Sequence, residues 1–323
     1  PASARAAMRT WAVALAALAR VGALRPAAER PCAMIVDVVL MSNHVSCIVN
    51  STIASLIRLH SPRPRTVHVV VPDALVGACT AQLGAVARCH AEHALVGLSK
   101  DEVVSILIAK GERWLQKARS VRKRALWFYQ QVVKLTLPLS LRSLSRHFLV
   151  WDADQLLARP YASCIDGHVR IDYVSTVDKH TARNTHYEST TRALLGYVSP
   201  PPRNWVTHKM YVVQAHARRM LERLCGAAHD ASACAAEILR RIPTNADPHL
   251  GLSEYDLYAA YMLREAQALV LPQAVRLFRT EPLHKRPAAE ICGELNAGLD
   301  GFLQRLGGQA AAAAADMIVV ESF

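Results

Sequence analysis

The sequence has no apolar run long enough to cross a membrane as a helix. No stretch of about 18 or more uncharged apolar residues occurs. C-x-x-C pairs and Cys/His ligand spacings are also missing, which disfavours a structural zinc site. The 8 cysteines are scattered. In a chain of this length, scattered cysteines are more typical of small buried side chains, although an even number permits disulfides in a secretory lumen.

Aromatic and acidic residues are scarce as well. Aromatic residues are only 6% of the chain, and no arginine-rich tract is interleaved with them, which disfavours nucleic-acid binding by base stacking. Against 26 acidic residues there are 38 Lys and Arg, a net charge of +12. This excess favours a polyanionic partner, for which a nucleic acid, an anionic membrane surface and a nucleotide diphosphate all qualify. With 52% hydrophobic residues, wholesale disorder is excluded.

Composition divides the chain into three parts. Residues 1–31 have two interpretations, a signal peptide if Met8 is the initiator, or an alanine-rich amphipathic helix. Residues 32–306 form the predicted domain. Residues 307–323 are an alanine-rich tail whose apolar end, 317–320, would be an unpaired strand if nothing covers it.

A β-branched apolar run at 34–41 and a second run at 66–71 predict buried strands, and residues 147–151 predict a third, short strand. The first two flank a predicted helix and so form a βαβ unit. The predicted helices are 46–60, 74–86, 100–110, 113–137 (ending before Pro138), 211–224, 231–241 and 253–269. This order predicts a single α/β domain with a mixed sheet flanked by helices.

Asp152 and Asp154 directly follow the third predicted strand. The loop after such a strand lies at the carboxyl edge of the sheet, where open α/β sheets bind ligands. Two hard oxygen ligands suit Mg²⁺ or Mn²⁺, which keeps further positions for water and phosphate oxygens. In isolation, an Asp-x-Asp sequence is more often a solvated turn that caps backbone amides.

Two further segments contain candidate site residues. Gln130, Gln131 and Lys134 lie on a predicted helix and could read a base, a ribose or a phosphate. His208 is a candidate third metal ligand, and the adjacent Lys209 a candidate for neutralising a leaving phosphate. Each of these segments also has an ordinary structural interpretation, as an amphipathic helix or a surface loop.

Glu254 lies at the start of another predicted helix. Ser253 and Asp256 fit a helix-capping pattern, which explains both residues without any function. Glu254 is not needed by the cap, although an acid in the first turn gains from the helix dipole. A carboxylate held there beside a polar cleft is a candidate general base.

Together these segments resemble a known group of proteins. In order they read aromatic-x-Gln-Gln-x-x-Lys, a strand with Asp-x-Asp, Thr-His-x-Met, and Ser-Glu-Tyr-x-Leu-Tyr. This order resembles a poorly characterised group of glycosyltransferase-like proteins with the GT-A fold, over residues 34–269. The resemblance implies a GT-A-like, Rossmann-like sheet and transfer of a sugar from a nucleotide-diphosphate donor to a hydroxyl of a glycan or another acceptor.

The resemblance also implies roles for individual residues. Asp152 would serve the donor ribose or the metal, and Asp154 and His208 the metal, Mn²⁺ or Mg²⁺. Gln130, Gln131, Lys134 and Lys209 would lie at the donor, although Lys209 stands where a second histidine is frequent. Glu254 would be the base in an inverting enzyme.

Two other functions are compatible with the same residues. One is a non-catalytic relative that binds a nucleotide sugar or a glycan, and the other is a basic polyanion-binding protein whose Asp-x-Asp is only a turn. The compartment stays open between a secretory or Golgi lumen, which the possible signal at Met8 favours, and the cytoplasm.

Overall fold

The computed structural model describes residues 36–45, 47–111, 121–174, 181–199, 203–226, 230–244, 251–279, 288–296, 298, 302 and 315–320. All of these belong to one compact unit that begins at Cys32. The predicted leader, residues 1–31, and most of the alanine-rich tail lie outside the described residues. None of the described helices is both long enough and apolar enough to span a bilayer.

The elements are numbered here in chain order. The described strands are β1 Val36–Met41, β2 His60–Ser61, β3 Pro64–Val71, β4 Arg88–Ala91, β5 His147–Asp152, β6 Gln155–Leu157, β7 Tyr161–Ala162, β8 Cys164–Ile165, β9 His168–Val174, β10 Lys209–Val213, β11 Val270–Val275, β12 Leu277–Arg279 and β13 Met317–Val319. The described α-helices are α1 Cys47–Leu59, α2 Val76–Leu83, α3 Glu92–Val96, α4 Lys100–Ile108, α5 Val121–Ser140, α6 Thr181–Leu195, α7 Gln214–Cys225, α8 Ala231–Arg241, α9 Glu254–Glu265 and α10 Ala288–Asn296. Short 3₁₀ turns lie at Asp73–Leu75 and Gln267–Leu269.

A five-stranded sheet in the order β10-β5-β1-β3-β4 forms the centre of the fold. β1, β3, β4 and β5 are parallel, whereas β10 runs antiparallel to β5. Every residue of β1 is buried, as expected for a strand covered on both faces. The three predicted strands are confirmed within a few residues, and so is the mixed α/β sheet flanked by helices.

Helix α5 corrects the predicted helix end. Its residues 121–140 include Pro138, before which the sequence predicts a stop. Leu137 is fully buried and Leu141 nearly so. Packing of this final turn therefore outweighs the backbone hydrogen bond that a proline cannot donate.

The predicted helix 211–224 is wrong in its first turn. Tyr211, Val212 and Val213 belong to β10, where they pair with Leu149, Phe148 and His147 of β5. The helix, α7, begins only at Gln214. Residues 211–213 form a strand because they pair with β5 at the edge of the sheet. This pairing places His208, which directly precedes β10, at the end of β5.

The apolar end of the chain is paired rather than exposed. β13 lies between β12 and β6 in a three-stranded sheet. The backbone N–H of Val320 also donates to the carbonyl of Asp154 at 2.8 Å. The last strand therefore helps to fix the loop that carries Asp152 and Asp154.

Disulfides correct the interpretation of the cysteines as small buried side chains. Three bonds join Cys47 to Cys292, Cys79 to Cys89, and Cys225 to Cys234. Cys164 is disulfide-bonded as well. The first bond links residues 245 positions apart and so ties α1 to α10. The spacing of the cysteines in the sequence could not predict these disulfides, because disulfide connectivity depends on the folded geometry.

A histidine pair in the central sheet, with His68 buried and His90 half-buried, predicts a pH-dependent stability. Nδ1 of His68 lies 2.9 Å from Nε2 of His90, and His68 is 1% exposed. Burial, reinforced by His90, lowers the pKa of His68 to about 4 from 6.5. The folded chain thus binds fewer protons than the unfolded chain between these values. We expect the His68 contribution to stability to be complete above pH 6.5 and to fall by up to about 3 kcal/mol as the pH drops towards 4.

The measurement is urea unfolding at several pH values between 7 and 4, for the wild type and for His68→Gln. The variant is expected to lose less stability over this range, whereas His93→Gln, which changes an exposed histidine, should follow the wild type. Equal pH dependence in the His68 variant and the wild type would contradict the assignment.

Candidate functional site

The loop after β5 is held from several sides. Asp152 is the last residue of β5 and is aligned with Met41 at the end of the parallel β1. Thr52 of α1 donates to the carbonyl of Ala153 at 2.7 Å. With the bond from Val320, these contacts fix the loop at the carboxyl edge of the sheet, where the sequence analysis places it.

Three side chains contact the carboxylate of Asp152. Lys134 and Tyr255 donate to Oδ1 at 2.6 and 2.7 Å, and Nδ1 of His208 lies 2.9 Å from Oδ2. Burial by itself would raise the pKa of Asp152, but the Lys134 ammonium and the His208 hydrogen bond outweigh it and hold the pKa well below its ordinary value. Asp152 is therefore ionised, and it binds side chains rather than capping backbone amides.

Lys134 bridges Asp152 and a second carboxylate. Its Nζ donates to Oε1 of Glu254 at 2.7 Å and to the hydroxyl of Tyr255 at 3.1 Å. Burial would lower the pKa of Lys134, but the two carboxylates raise it above the ordinary value. For Glu254, burial outweighs the ammonium and raises the pKa. The site thus contains a buried charge cluster built from α5, α9 and the loop after β5.

Glu254 enters the cluster because α9 begins there. The Ser253 hydroxyl accepts a hydrogen bond from the backbone N–H of Asp256 at 3.3 Å, which confirms Ser253 as the cap. The carboxylate of Asp256 accepts from Thr191 at 2.7 Å, so it does not complete the predicted capping box. Glu254 follows that cap and is 0% exposed. A general base must reach a proton of the substrate. Because this structure buries both oxygens of Glu254, its assignment as the base stays a prediction from sequence.

Asp154 differs from Asp152 in its surroundings. It is partly exposed, and across the described ranges no other residue donates a hydrogen bond to its carboxylate. Burial and then the negative charge of Asp152 raise its pKa to about 6. A bound cation would stabilise the ionised form of Asp154, because its positive charge would offset both the burial and the repulsion from Asp152.

His208 reaches Asp152 through an unusual backbone conformation. Its φ is +60°, in the left-handed region that residues other than glycine seldom adopt. The backbone N–H of Asp152 donates to the carbonyl of His208 at 2.9 Å while the ring of His208 contacts the carboxylate. Such conformations cluster at functional sites, so the geometry favours a role for His208 beyond packing.

The two glutamines of α5 lie in different surroundings. Gln131 is buried, and its Oε1 accepts a hydrogen bond from the backbone N–H of Glu254 at 3.4 Å. Gln130 is half-buried. The structure therefore brings Gln131 and Lys134 to the buried side of the cluster and leaves Gln130 partly accessible.

Lys209 belongs to a separate cluster. Its ammonium pairs with Asp172, which also accepts hydrogen bonds from Tyr161 and Arg170. Burial lowers the pKa of Lys209 to about 8. Because the Lys209 ammonium is paired with Asp172, Lys209 does not join the cluster around Asp152. Its contact with a donor phosphate stays a prediction from sequence.

Sequence reasoning missed Tyr255. Its hydroxyl donates to Asp152 and accepts from Lys134, and its ring lies 4.8 Å from the Lys134 ammonium. Burial raises the pKa of Tyr255 well above its ordinary value, and the charge of Asp152 adds to the effect. The position beside Glu254 in the Ser-Glu-Tyr segment was the available signal, although it does not show which way the side chain points.

Few donor atoms at this loop are left for a divalent cation. Within the described ranges, no three His, Cys, Asp or Glu side chains stand together as a complete metal-binding group. An ionised carboxylate has about four lone-pair sites, and Asp152 uses three for Lys134, Tyr255 and His208. One site on Oδ2 and the carboxylate of Asp154 remain. These atoms fit Mg²⁺ or Mn²⁺, which often takes one or two protein carboxylates and fills the rest with water and phosphate.

Comparisons with known proteins give little further information. No protein-family model matches the sequence, and no curated protein matches it. Among solved structures, the apo form of mouse xyloside xylosyltransferase 1 is similar at 12% identity and a TM-score of 0.40, covering 88% of this chain and 97% of that chain. A likeness this distant establishes neither activity nor substrate for this chain.

Proposed function

We propose that the protein is a glycosyltransferase that moves a sugar from a nucleotide-diphosphate donor to an acceptor hydroxyl, with a divalent cation at Asp152 and Asp154. The observation that carries the proposal is the contrast between these two residues. Asp152 is fixed and ionised, whereas Asp154 has a raised pKa and no partner among the described residues. The pair lies where open α/β sheets bind ligands.

The roles follow from the donor atoms. Asp154 and the remaining lone pair of Asp152 would hold Mn²⁺ or Mg²⁺. Nδ1 of His208 donates to Oδ2 of Asp152, so His208 would orient this carboxylate, as residues bonded to metal ligands often do, and its direct ligation of the metal stays a prediction from sequence. When bound, the cation supplies positive charge to the oxygens of the diphosphate leaving group.

The protein residues around this position limit the access of water and fix the carboxylates. Asp152 and His208 have side chains only 21% and 18% exposed, and Lys134 is 4% exposed. Gln130, which is half-buried, is the glutamine we assign to the donor nucleotide. Gln131 and Lys134 support the site from beneath through Glu254 and Asp152. Charges act more strongly in such a site than in water.

A non-catalytic binder of a nucleotide sugar or glycan is the second candidate. The burial of Glu254 favours it, because no carboxylate oxygen of that residue can reach an acceptor hydroxyl in this conformation. The two candidates share a metal-dependent nucleotide site and differ in turnover. Release of free nucleoside diphosphate from a sugar donor would support the enzyme, and tight binding without release would support the binder.

The disulfides support a lumenal or extracellular location. Bonds such as Cys47–Cys292 and Cys225–Cys234 persist in oxidising compartments and are rare in the cytosol.

A thermal-shift screen tests the proposed site. Nucleoside diphosphates and nucleotide sugars would each be added with Mn²⁺ and, separately, with a chelator. A ligand that binds only the folded state raises the unfolding temperature by mass action. We expect a shift that needs the metal and is selective for one nucleotide. No shift with any donor, in protein shown to be folded, would favour a polyanion-binding protein with an ordinary Asp-x-Asp turn.

A further inference from the structure

The charges around Lys134 are unequal. Its ammonium lies 2.6 Å from Asp152 and 2.7 Å from Glu254, so one cation faces two carboxylates. Glu254 is fully buried, whereas the side chain of Asp152 is 21% exposed. Among Lys134, Asp152 and Glu254, therefore, Asp152 is the group through which the excess negative charge reaches the solvent-accessible surface.

Packing and charge neutralisation do not require a second carboxylate beside Lys134. One carboxylate suffices to neutralise a buried lysine, and a second buried carboxylate adds a desolvation cost. Glu254 also leaves its Oε2 buried without a hydrogen-bond partner among the described residues. Buried groups that are not fully satisfied are rare and call for an explanation.

We propose that Glu254 is a positioning residue that neutralises Lys134, so that Asp152 keeps its negative charge for a divalent cation. The inference rests on the proposed function, because it concerns the same metal site. Without Glu254, the Lys134 ammonium and Asp152 form a neutral pair, and an approaching cation meets no net attraction from them. With Glu254, the three groups keep one negative charge, which is available at Oδ2 of Asp152.

This role differs from that of a base. A base contacts the acceptor, whereas Glu254 acts through Lys134 on Asp152 and needs no exposed oxygen. The base role predicts that Glu254→Gln retains metal affinity and loses turnover. The positioning role predicts that the same change weakens metal binding even when no donor or acceptor is present.

The test is a calorimetric titration of the purified chain with Mn²⁺ alone. Residues behind metal ligands typically change metal affinity by about 10–100-fold, and we expect a loss of this size in Glu254→Gln. Glu92→Gln is the matched control, because Glu92 is also buried and paired with a lysine, Lys100. It should bind Mn²⁺ within about twofold of the wild type, and circular dichroism should confirm that both variants fold.

A double variant separates the charge effect from a general loss of structure. Lys134→Met combined with Glu254→Gln removes one positive and one negative charge and leaves the charge of Asp152 unopposed. We expect it to recover part of the Mn²⁺ affinity that Glu254→Gln alone loses. If Glu254→Gln does not fold, the double variant supplies the test by itself, and loss of Mn²⁺ binding in a folded double variant overturns the proposal.

The outcomes distinguish this inference from the proposed function. If the wild type binds no Mn²⁺, with or without a nucleoside diphosphate, the metal site itself is wrong and the inference falls with it. If the wild type binds Mn²⁺ and folded Glu254→Gln binds it equally well, only the inference is overturned, and a pure effect on turnover would restore Glu254 as the base.

Discussion

Replacing Asp154 with alanine is expected to remove metal-dependent binding of the donor nucleotide, with a loss of affinity of at least about 100-fold. The carboxylate of Asp154 accepts no hydrogen bond from another described residue, and its pKa is raised by burial and then by the charge of Asp152. A bound cation would relieve both effects. Because the side chain gives up no hydrogen bond or ion pair with another described residue, the free energy of unfolding should change by less than about 1 kcal/mol. Calorimetric titration with a nucleoside diphosphate, with Mn²⁺ and with chelator, measures the effect.

Asp101→Ala is the control for that experiment. Asp101 is an exposed acid in the first turn of α4, and its ion pair with Arg122 is also exposed. The control should bind the nucleotide as the wild type does. Unchanged metal-dependent affinity in the Asp154 variant would remove it from the ligand set.

Replacing Lys134 with methionine is expected to destabilise the fold by about 3–5 kcal/mol. Methionine fills a similar volume but leaves Asp152 and Glu254 close together without the ammonium between them. Removing one partner of a buried ion pair has this size of effect because an unpaired charge stays buried. Urea denaturation at neutral pH measures the change.

Two comparisons make this prediction specific. Lys110→Met changes a lysine whose ammonium, among the described residues, bonds a single backbone carbonyl, that of Arg240, and should lose about 1 kcal/mol or less. The double variant Lys134→Met and Glu254→Gln should recover part of the loss, because the second change removes one of the stranded carboxylates. A stability of the single Lys134 variant equal to that of the wild type would contradict the described cluster.

The central strands could be predicted from the sequence because a strand buried on both faces needs apolar residues at consecutive positions. β1, β3 and β5 each contain a mostly apolar run, and two-sided burial in a parallel sheet demands such runs. The position of Asp152 and Asp154 followed from the third run alone. The capping role of Ser253 was equally local, since it joins residues three apart.

Elements that depend on distant partners could not be predicted in this way. Residues 211–213 have an apolar pattern that fits a helix or a strand, and pairing with β5 decides between them. Pro138 is a helix breaker by local rules, yet the buried turn around it continues. In both cases tertiary contacts outweigh local preference.

The candidate site shows the same difference between local features, which the sequence predicts, and features that depend on distant contacts. Sequence reasoning found Lys134, Asp152, His208 and Glu254 as separate candidates but gave Lys134 and Glu254 different partners. Their ion pair joins residues 120 positions apart and is visible only after α5 and α9 pack together. Burial was the property that sequence could not supply, and it changes Glu254 from an accessible acid into an internal one.

Anomalous diffraction from crystals grown with Mn²⁺ and a nucleoside diphosphate tests the central claim most directly. The account predicts one Mn²⁺ peak within bonding distance, roughly 2.0–2.3 Å, of a carboxylate oxygen of Asp154, with Asp152 and His208 beside it and diphosphate oxygens completing the shell. A nucleotide bound elsewhere, or a site between Asp152 and Asp154 that contains no Mn²⁺ while the nucleotide is present, would contradict it.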